Sequence, residues 1–191
     1  SDIFDAIKTA IKEKGVADGS VNLTLKNVMT IPDGTFKNVT WLNKVTLPDA
    51  VTIGKNAFNA SSLKNMEAPN VSIVGMYAFQ NCKLLEKVNL PKVSEIGIQA
   101  FHFCSTLKNV LFGTLTKVWT GDENNTAGIF DSVDTKFVSL TLSSSQSLMD
   151  IFDDAEGNFL WIPINQPYKG SYQYALSKFI GYEFNEIKFF E

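Results

Sequence analysis

At 191 residues, 45% apolar and 19% charged, the chain is long enough to bury a substantial core, and a single structural unit is the default at this length. Seventeen basic and twenty acidic residues leave a formal charge of -3 with neither sign gathered into a tail or stripe, which argues against nucleic acid as a partner, because phosphate binding needs a concentrated basic face. No run approaches the ~18 to 20 apolar residues of a membrane-spanning helix. Ser1-Asp2-Ile3-Phe4-Asp5 lacks the basic-then-apolar layout of a leader, and two cysteines are too few for a disulfide framework. The chain reads as soluble, and is consistent with the mature part of an exported protein whose leader has been removed.

Ile3, Phe4, Ile7, Ala10 and Ile11 recur at helical spacing, and Gly15 follows a Lys-Glu-Lys run suited to a helix C-terminus. The spacing predicts an amphipathic helix over residues 2–14. From there the chain repeats itself. Leu47-Pro48, Ile53-Gly54, Ala57-Phe58 and Leu63 are followed by Ala68-Pro69, Val74-Gly75, Ala78-Phe79 and Leu85, then by Leu90-Pro91, Ile96-Gly97, Ala100-Phe101 and Leu107. The phenylalanines lie 21 and 22 residues apart, a period that signals stacked supersecondary units. Alignment on them adds an earlier unit with Ile31, Thr35 and Phe36, in which Pro32 stands where the later units carry glycine.

Each unit also carries an apolar-x-apolar triplet, the alternation of a short half-buried strand. The triplets are Leu23-Thr24-Leu25, Val45-Thr46-Leu47, Met66-Glu67-Ala68, Val88-Asn89-Leu90, Val110-Leu111-Phe112, Leu140-Thr141-Leu142 and, more loosely, Leu160-Trp161-Ile162. Their spacings are 22, 21, 22, 22, 30 and 20 residues. The one long interval falls at Trp119 to Ile129, where Gly121, Asp122, Asn124, Asn125 and Gly128 read as an exposed loop. Ser171 to Phe179 looks like a short helix, and Ile187-Lys188-Phe189 offers a terminal strand.

A unit of this size can turn one full coil, with its strand beside that of the previous unit and a short helical or irregular run on the opposite side. One coil cannot bury its side chains alone; stacking would place Phe36, Phe58, Phe79, Phe101 and Phe130 in a continuous column. Gly54, Gly75 and Gly97 recur where the chain leaves the strand, as expected for positive φ or close neighbours. Pro48, Pro69 and Pro91 end each strand because proline cannot donate to the ladder.

Leu42-x-x-Val45-x-Leu47, Leu85-x-x-Val88-x-Leu90 and Leu107-x-x-Val110-x-Phe112 resemble the leucine-rich repeat core. The added Leu-Pro, Ile-Gly, Ala-Phe and Cys features resemble the BspA-like subclass of cell-surface leucine-rich repeats, over roughly residues 21–163. Val71, Val93 and Leu115 stand where the commonest class has asparagine, a departure that this subclass tolerates. The resemblance implies an α/β fold: a right-handed leucine-rich-repeat solenoid with a parallel sheet on one face. Its N-terminal capping helix would lie in 1–20, its repeats in 21–143 with a loop insertion at 119–129, and its last irregular repeat and C-terminal cap in 144–191. It also implies an exported adhesion module of the bacterial outer surface or extracellular space, with a host extracellular or cell-surface protein or glycan as partner.

Residues for catalysis are scarce. The single histidine, His102, occupies a position held by Asn59 and Gln80 in other units and reads as a solvated polar residue. There is no Ser-His-Asp order, no metal-ligand spacing and no phosphate-cradling glycine loop, so neither enzyme activity nor a cofactor or metal is expected. A glycosidase would need two facing carboxylates, and among the middle residues of the triplets only Glu67 is acidic. Cys82 and Cys104 share a repeat position; stacking at about 4.8 Å allows a disulfide, while two small buried thiols are the simpler reading. Asp122, Glu123, Asn124 and Asn125 lack the alternate spacing of a calcium loop. The Asn-x-Ser/Thr matches at Asn22, Asn38, Asn59, Asn70 and Asn124 follow from a composition rich in these residues.

The strand face remains. If the flanking residues of each triplet point inward, the middle ones, Thr24, Thr46, Glu67, Asn89, Leu111, Thr141 and Trp161, form the outward binding candidates. Seven strands span about 30 Å, enough for the ~800 Å² per partner of a typical protein contact. Trp161 is either a binding anchor or a residue covered by the C-terminal cap, against Tyr168 or Tyr172. The sequence thus predicts a binding module that uses this face, the alternative being a structural spacer domain of a larger surface protein with no ligand of its own.

Overall fold

The computed structural model of the chain describes residues 3–118, 128–143, 149–153, 159–163, 178–179 and 182–190. Ile3–Glu13 form the predicted helix, α1, which buries Phe4 and sets its ring edge-on to Phe36 at a centroid distance of 6.0 Å. The chain then winds into coils about 22 residues apart. Val21–Thr24, Leu42–Thr46, Asn65–Glu67, Lys87–Leu90, Asn109–Phe112, Ser139–Ser143 and Glu186–Phe190 lie side by side, all parallel, as a seven-stranded front sheet.

The side opposite the front sheet differs from the expected helical or irregular run. Thr30–Ile31, Thr52–Ile53, Ile73–Val74, Glu95–Ile96 and Lys117–Val118 pair as a second parallel sheet, with two residues from each coil. These dipeptides are mostly β-branched, and one hydrophobic residue per dipeptide points into the core, too few for a helix face. Backbone bonds between coils continue through the turns: Phe36 N–H donates to Ala57 O at 2.7 Å, Phe58 to Ala78 at 2.8 Å and Phe79 to Ala100 at 2.8 Å. Each coil is therefore tied to its neighbours along much of its length.

The core is the predicted phenylalanine column. Phe36, Phe58, Phe79 and Phe101 stack with centroids 5.3, 5.4 and 5.1 Å apart, and Phe130 continues the stack 5.6 Å from Phe101. All five are fully buried, together with Ile31, Ile53, Leu63 and Val71. Both ends are closed by an edge-on ring, Phe4 on Phe36 and Phe184 on Phe130 at 5.6 Å.

The recurring glycines prove to be a matter of close approach. Gly54, Gly75 and Gly97 are not among the positive-φ residues. A Cβ on Gly75 would lie 2.7 Å from the backbone of Gly54 and Lys55, and one on Gly97 would lie 2.5 Å from Met76 N. The obstructing atoms belong to the preceding coil, which explains Pro32 in the first unit: no coil precedes it. Left-handed φ falls elsewhere, two residues to either side of the core phenylalanine, as at Asn56 (56°), Ala60 (55°), Tyr77 (60°) and Phe103 (59°).

The seventh strand is a correction. Leu160-Trp161-Ile162, expected to continue the front sheet, lies in Phe159–Pro163, which pairs antiparallel with Met149–Asp153 in a separate two-stranded sheet. The front-sheet position after Ser139–Ser143 is taken by Glu186–Phe190. Of the loop expected at 119–129, residues 119–127 lie outside the described residues, while Ile129 is buried rather than exposed. Of the helix expected at 171–179, residues 171–177 lie outside them, as do Tyr168 and Tyr172, and its last two residues are instead strand: Lys178–Phe179 pairs antiparallel with Tyr182–Glu183.

Candidate functional site: the front-sheet face

The front strands alternate in burial, as Val88 in, Asn89 out and Leu90 in, because successive side chains point to opposite faces; the alternation is broken once, at Asn43–Lys44, where the pairing with the first strand shifts register. Their register brings six of the seven predicted residues into one row: Thr24 opposite Thr46, Thr46 opposite Glu67, Glu67 opposite Asn89, Asn89 opposite Leu111 and Leu111 opposite Thr141. Lys188, not Trp161, completes the row, opposite Thr141. Trp161 belongs to the separate hairpin.

The alternation supplies a second outward row that the triplet pattern alone does not reveal. Two residues before each middle position stand Asn22, Lys44, Asn65, Lys87, Asn109 and Ser139, again in register. Extending the period of two one step toward the strand start would have found them.

Polar contacts link neighbouring strands across the face. Asn89 Nδ2 donates to Glu67 Oε2 at 2.6 Å, and Lys87 Nζ lies 3.5 Å from Glu67 Oε1. Lys108 pairs with Glu86 at 3.6 Å, and Ser139 Oγ donates to Glu186 Oε1 at 2.8 Å. The Lys188 ammonium and the Ser139 hydroxyl, the former first in effect, hold the Glu186 carboxyl below its ordinary range. A shallow depression of about 400 Å³ lies over three of these strands, lined by Lys87, Asn89, Asn109, Leu111, Ser139 and Thr141 along with Val88 and Val110. Such a surface can hydrogen-bond and pair charge with a partner laid along it. No group of three or more possible metal ligands occurs among the described residues.

The other candidates sit off this face. Cys82 and Cys104 are buried free thiols, each donating to a carbonyl of an earlier coil, Phe58 O at 3.0 Å and Phe79 O at 3.1 Å. Burial pushes the Cys82 thiol up to about 11 and Cys104 well above its ordinary value, so both are packing residues. His102, expected to be solvated, is half-buried in a ladder of amides. Asn59 Nδ2 donates to Gln80 Oε1 at 3.0 Å, and Gln80 Nε2 lies 3.1 Å from His102 Nδ1.

No curated protein and no solved structure matches the chain. A family profile does, that of the BspA type leucine rich repeat region, in 6 copies over residues 20–121. That span covers more than half of the chain and takes in five of the front strands described above, with their glycine and phenylalanine positions. The parallel coils, the 22-residue period and the phenylalanine column agree with it, and the chain belongs to the BspA-type leucine-rich repeat family.

Proposed function

We propose that the chain is an exported cell-surface binding and adhesion module that holds a host or cell-surface macromolecule on its front-sheet face. Leucine-rich repeat solenoids are typically non-enzymatic interaction scaffolds, and the BspA-like family is associated with bacterial surface proteins. The observation that carries the reading is the two-row face itself. Thr24, Thr46, Glu67, Asn89, Leu111 and Thr141 stand in register over consecutive strands, in company with a second row of amides and ammonium groups. A solenoid concerned only with stability needs inward-facing residues from these strands; the outward rows are free to recognise a partner.

No helix among the described residues is long and apolar enough to cross a membrane.

The test is an array of host matrix proteins and mucin glycans probed with the purified chain, with Glu67→Arg, Leu111→Glu and Thr30→Glu in parallel. Capture is expected for the parent chain and for Thr30→Glu, which changes an exposed residue of the back sheet. Loss in both front-face variants, with their circular dichroism unchanged, assigns the site. Capture that survives both variants would put the binding off the front face, and no capture at all would move the function to a structural spacer.

A further inference from the structure

The front face is not uniform in charge, and its N-terminal half is the unusual part. The whole chain is acidic at -3, yet this half presents Lys44 and Lys64 with no ion-pair partner among the described residues. Glu67 is the nearest acid in the outward rows, and it is engaged from the other side by Asn89 at 2.6 Å and Lys87 at 3.5 Å. Lys87 is itself half exposed and held only by that loose pair, so its ammonium remains accessible.

In the register of the strands Lys44 stands opposite Asn65, and Asn65 opposite Lys87. Ammonium, carboxamide and ammonium therefore follow one another along the solenoid axis, and the two lysines originate two strand steps apart, roughly 10 Å. Asn22 and Asn109 extend the alternation at either end.

What is missing from this half is equally informative. Asn22, Thr24, Thr46 and Asn65 point outward there, with neither an aromatic nor an aliphatic anchor. A protein partner of ordinary affinity needs an apolar centre with such anchors. Carboxamides and hydroxyls both donate and accept, which suits the adjacent hydroxyls of a sugar chain, and the lysines demand anions.

We infer that the N-terminal half of the front face binds an acidic polysaccharide, in which a carboxylate-bearing sugar alternates with a neutral amide-bearing one, laid across the strands with its carboxylates at Lys44 and Lys87. The inference rests on the front-face reading above and narrows it to one ligand class. The carboxylates pair with the ammonium groups, and the neutral sugar between them meets the Asn65 carboxamide. Lys64, the half-buried residue just before the strand of Asn65, adds positive potential along the chain's path.

Calorimetric titration of the full chain tests it with three probes: hyaluronan fragments, chitin oligosaccharides of similar length as the uncharged counterpart, and polyglutamate as an acidic polypeptide. Hyaluronan is expected to bind saturably and more weakly as salt rises, with little or no binding of chitin fragments or polyglutamate. Lys44→Gln and Lys87→Gln should each weaken hyaluronan binding about tenfold, the scale of one charge-assisted hydrogen bond at a partly screened surface. Lys92→Gln, which removes a surface ammonium bonded to Asn70 away from the face, should leave it unchanged. Absence of hyaluronan binding by the folded chain overturns the proposal, as does equal binding of chitin fragments or an equal loss in Lys92→Gln. Polyglutamate binding as tightly, with the same lysine dependence, replaces the polysaccharide with an acidic polypeptide. If hyaluronan fails while the array yields a ligand lost in Leu111→Glu, the ligand class is wrong and the binding face stands; silence in both experiments removes the face as well.

Discussion

Gln80 shows how tightly a single side chain can be specified by the coils on either side of it. Its Oε1 accepts from Asn59 Nδ2 at 3.0 Å, and its Nε2 donates to Gln99 Oε1 at 2.9 Å while facing His102 Nδ1 at 3.1 Å. With a donor facing it, Nδ1 must be the unprotonated ring nitrogen. Rotating the Gln80 amide alone would set donor against donor at Asn59 and acceptor against acceptor at Gln99. Burial holds the His102 pKa below its ordinary value, against an opposing pull from the Asp131 carboxylate. The folded state therefore binds the proton less readily than the unfolded chain. Stability should be full above about 6.5, the unfolded value, and fall as the pH drops from there through the lowered folded value. His102 is the only histidine, so its NMR titration is unambiguous and should give a midpoint below that of a free imidazole. Urea unfolding should show the matching loss of stability across this window, and His102→Gln, which keeps an acceptor for Gln80, should flatten it. The sequence displays polar residues at this position in three successive units, but solvated and stacked polar side chains leave the same trace. Only the positions of the neighbouring coils separate the two.

At the scale of the element, the repeats were legible because local pattern and coil geometry agree. Each triplet alternates as a strand must, each proline falls where the ladder ends, and each glycine sits where the backbone of the preceding coil leaves no room for a Cβ. The second sheet was hidden because two residues per coil are too short a run to show a period of two. The identity of the seventh strand was hidden for a different reason: Leu160-Trp161-Ile162 and Ile187-Lys188-Phe189 carry the same alternation, and their choice of partner depends on chain pairing far from either. Trp161 thereby left the candidate row and Lys188 entered it. The glycine argument makes a definite prediction. Gly75→Ala would drive a methyl group to 2.7 Å from the backbone of Gly54 and Lys55, where no flexible side chain can give way. The coils would have to part, at a cost of about 1–3 kcal/mol for overpacking, measured as a lower urea midpoint. Gly15→Ala serves as the contrast: nothing lies within 4 Å of its Cβ, and its penalty should be the smaller one of a left-handed φ of 59°. Equal midpoints for Gly75→Ala and the parent would rule out close coil contact as the role of this glycine.

For the molecule as a whole, stability is a chain of nearest-neighbour contacts, since each coil touches mainly the coil before and the coil after it. The phenylalanine column is the continuous part of that chain, closed by Phe4 at one end and Phe184 at the other. The column itself could be read from the 22-residue period, whereas its closure by Phe184 could not, since nothing local marks that residue as a terminal ring. Phe79 occupies the middle, parallel to Phe58 at 5.4 Å and to Phe101 at 5.1 Å, and is fully buried. Phe79→Ala should cost about 3–5 kcal/mol through lost transfer energy and the cavity left between two rings that backbone bonds hold in place. The same change interrupts the ring stack between the N-terminal and C-terminal coils, leaving their other buried contacts, so their cooperativity should fall with it. Urea unfolding followed by far-ultraviolet circular dichroism is expected to show a lower midpoint and a shallower transition than the parent chain. An unchanged midpoint would mean that the column is not what joins the coils, and a lower midpoint with an unaltered slope would mean that the two backbone sheets carry the coupling without it.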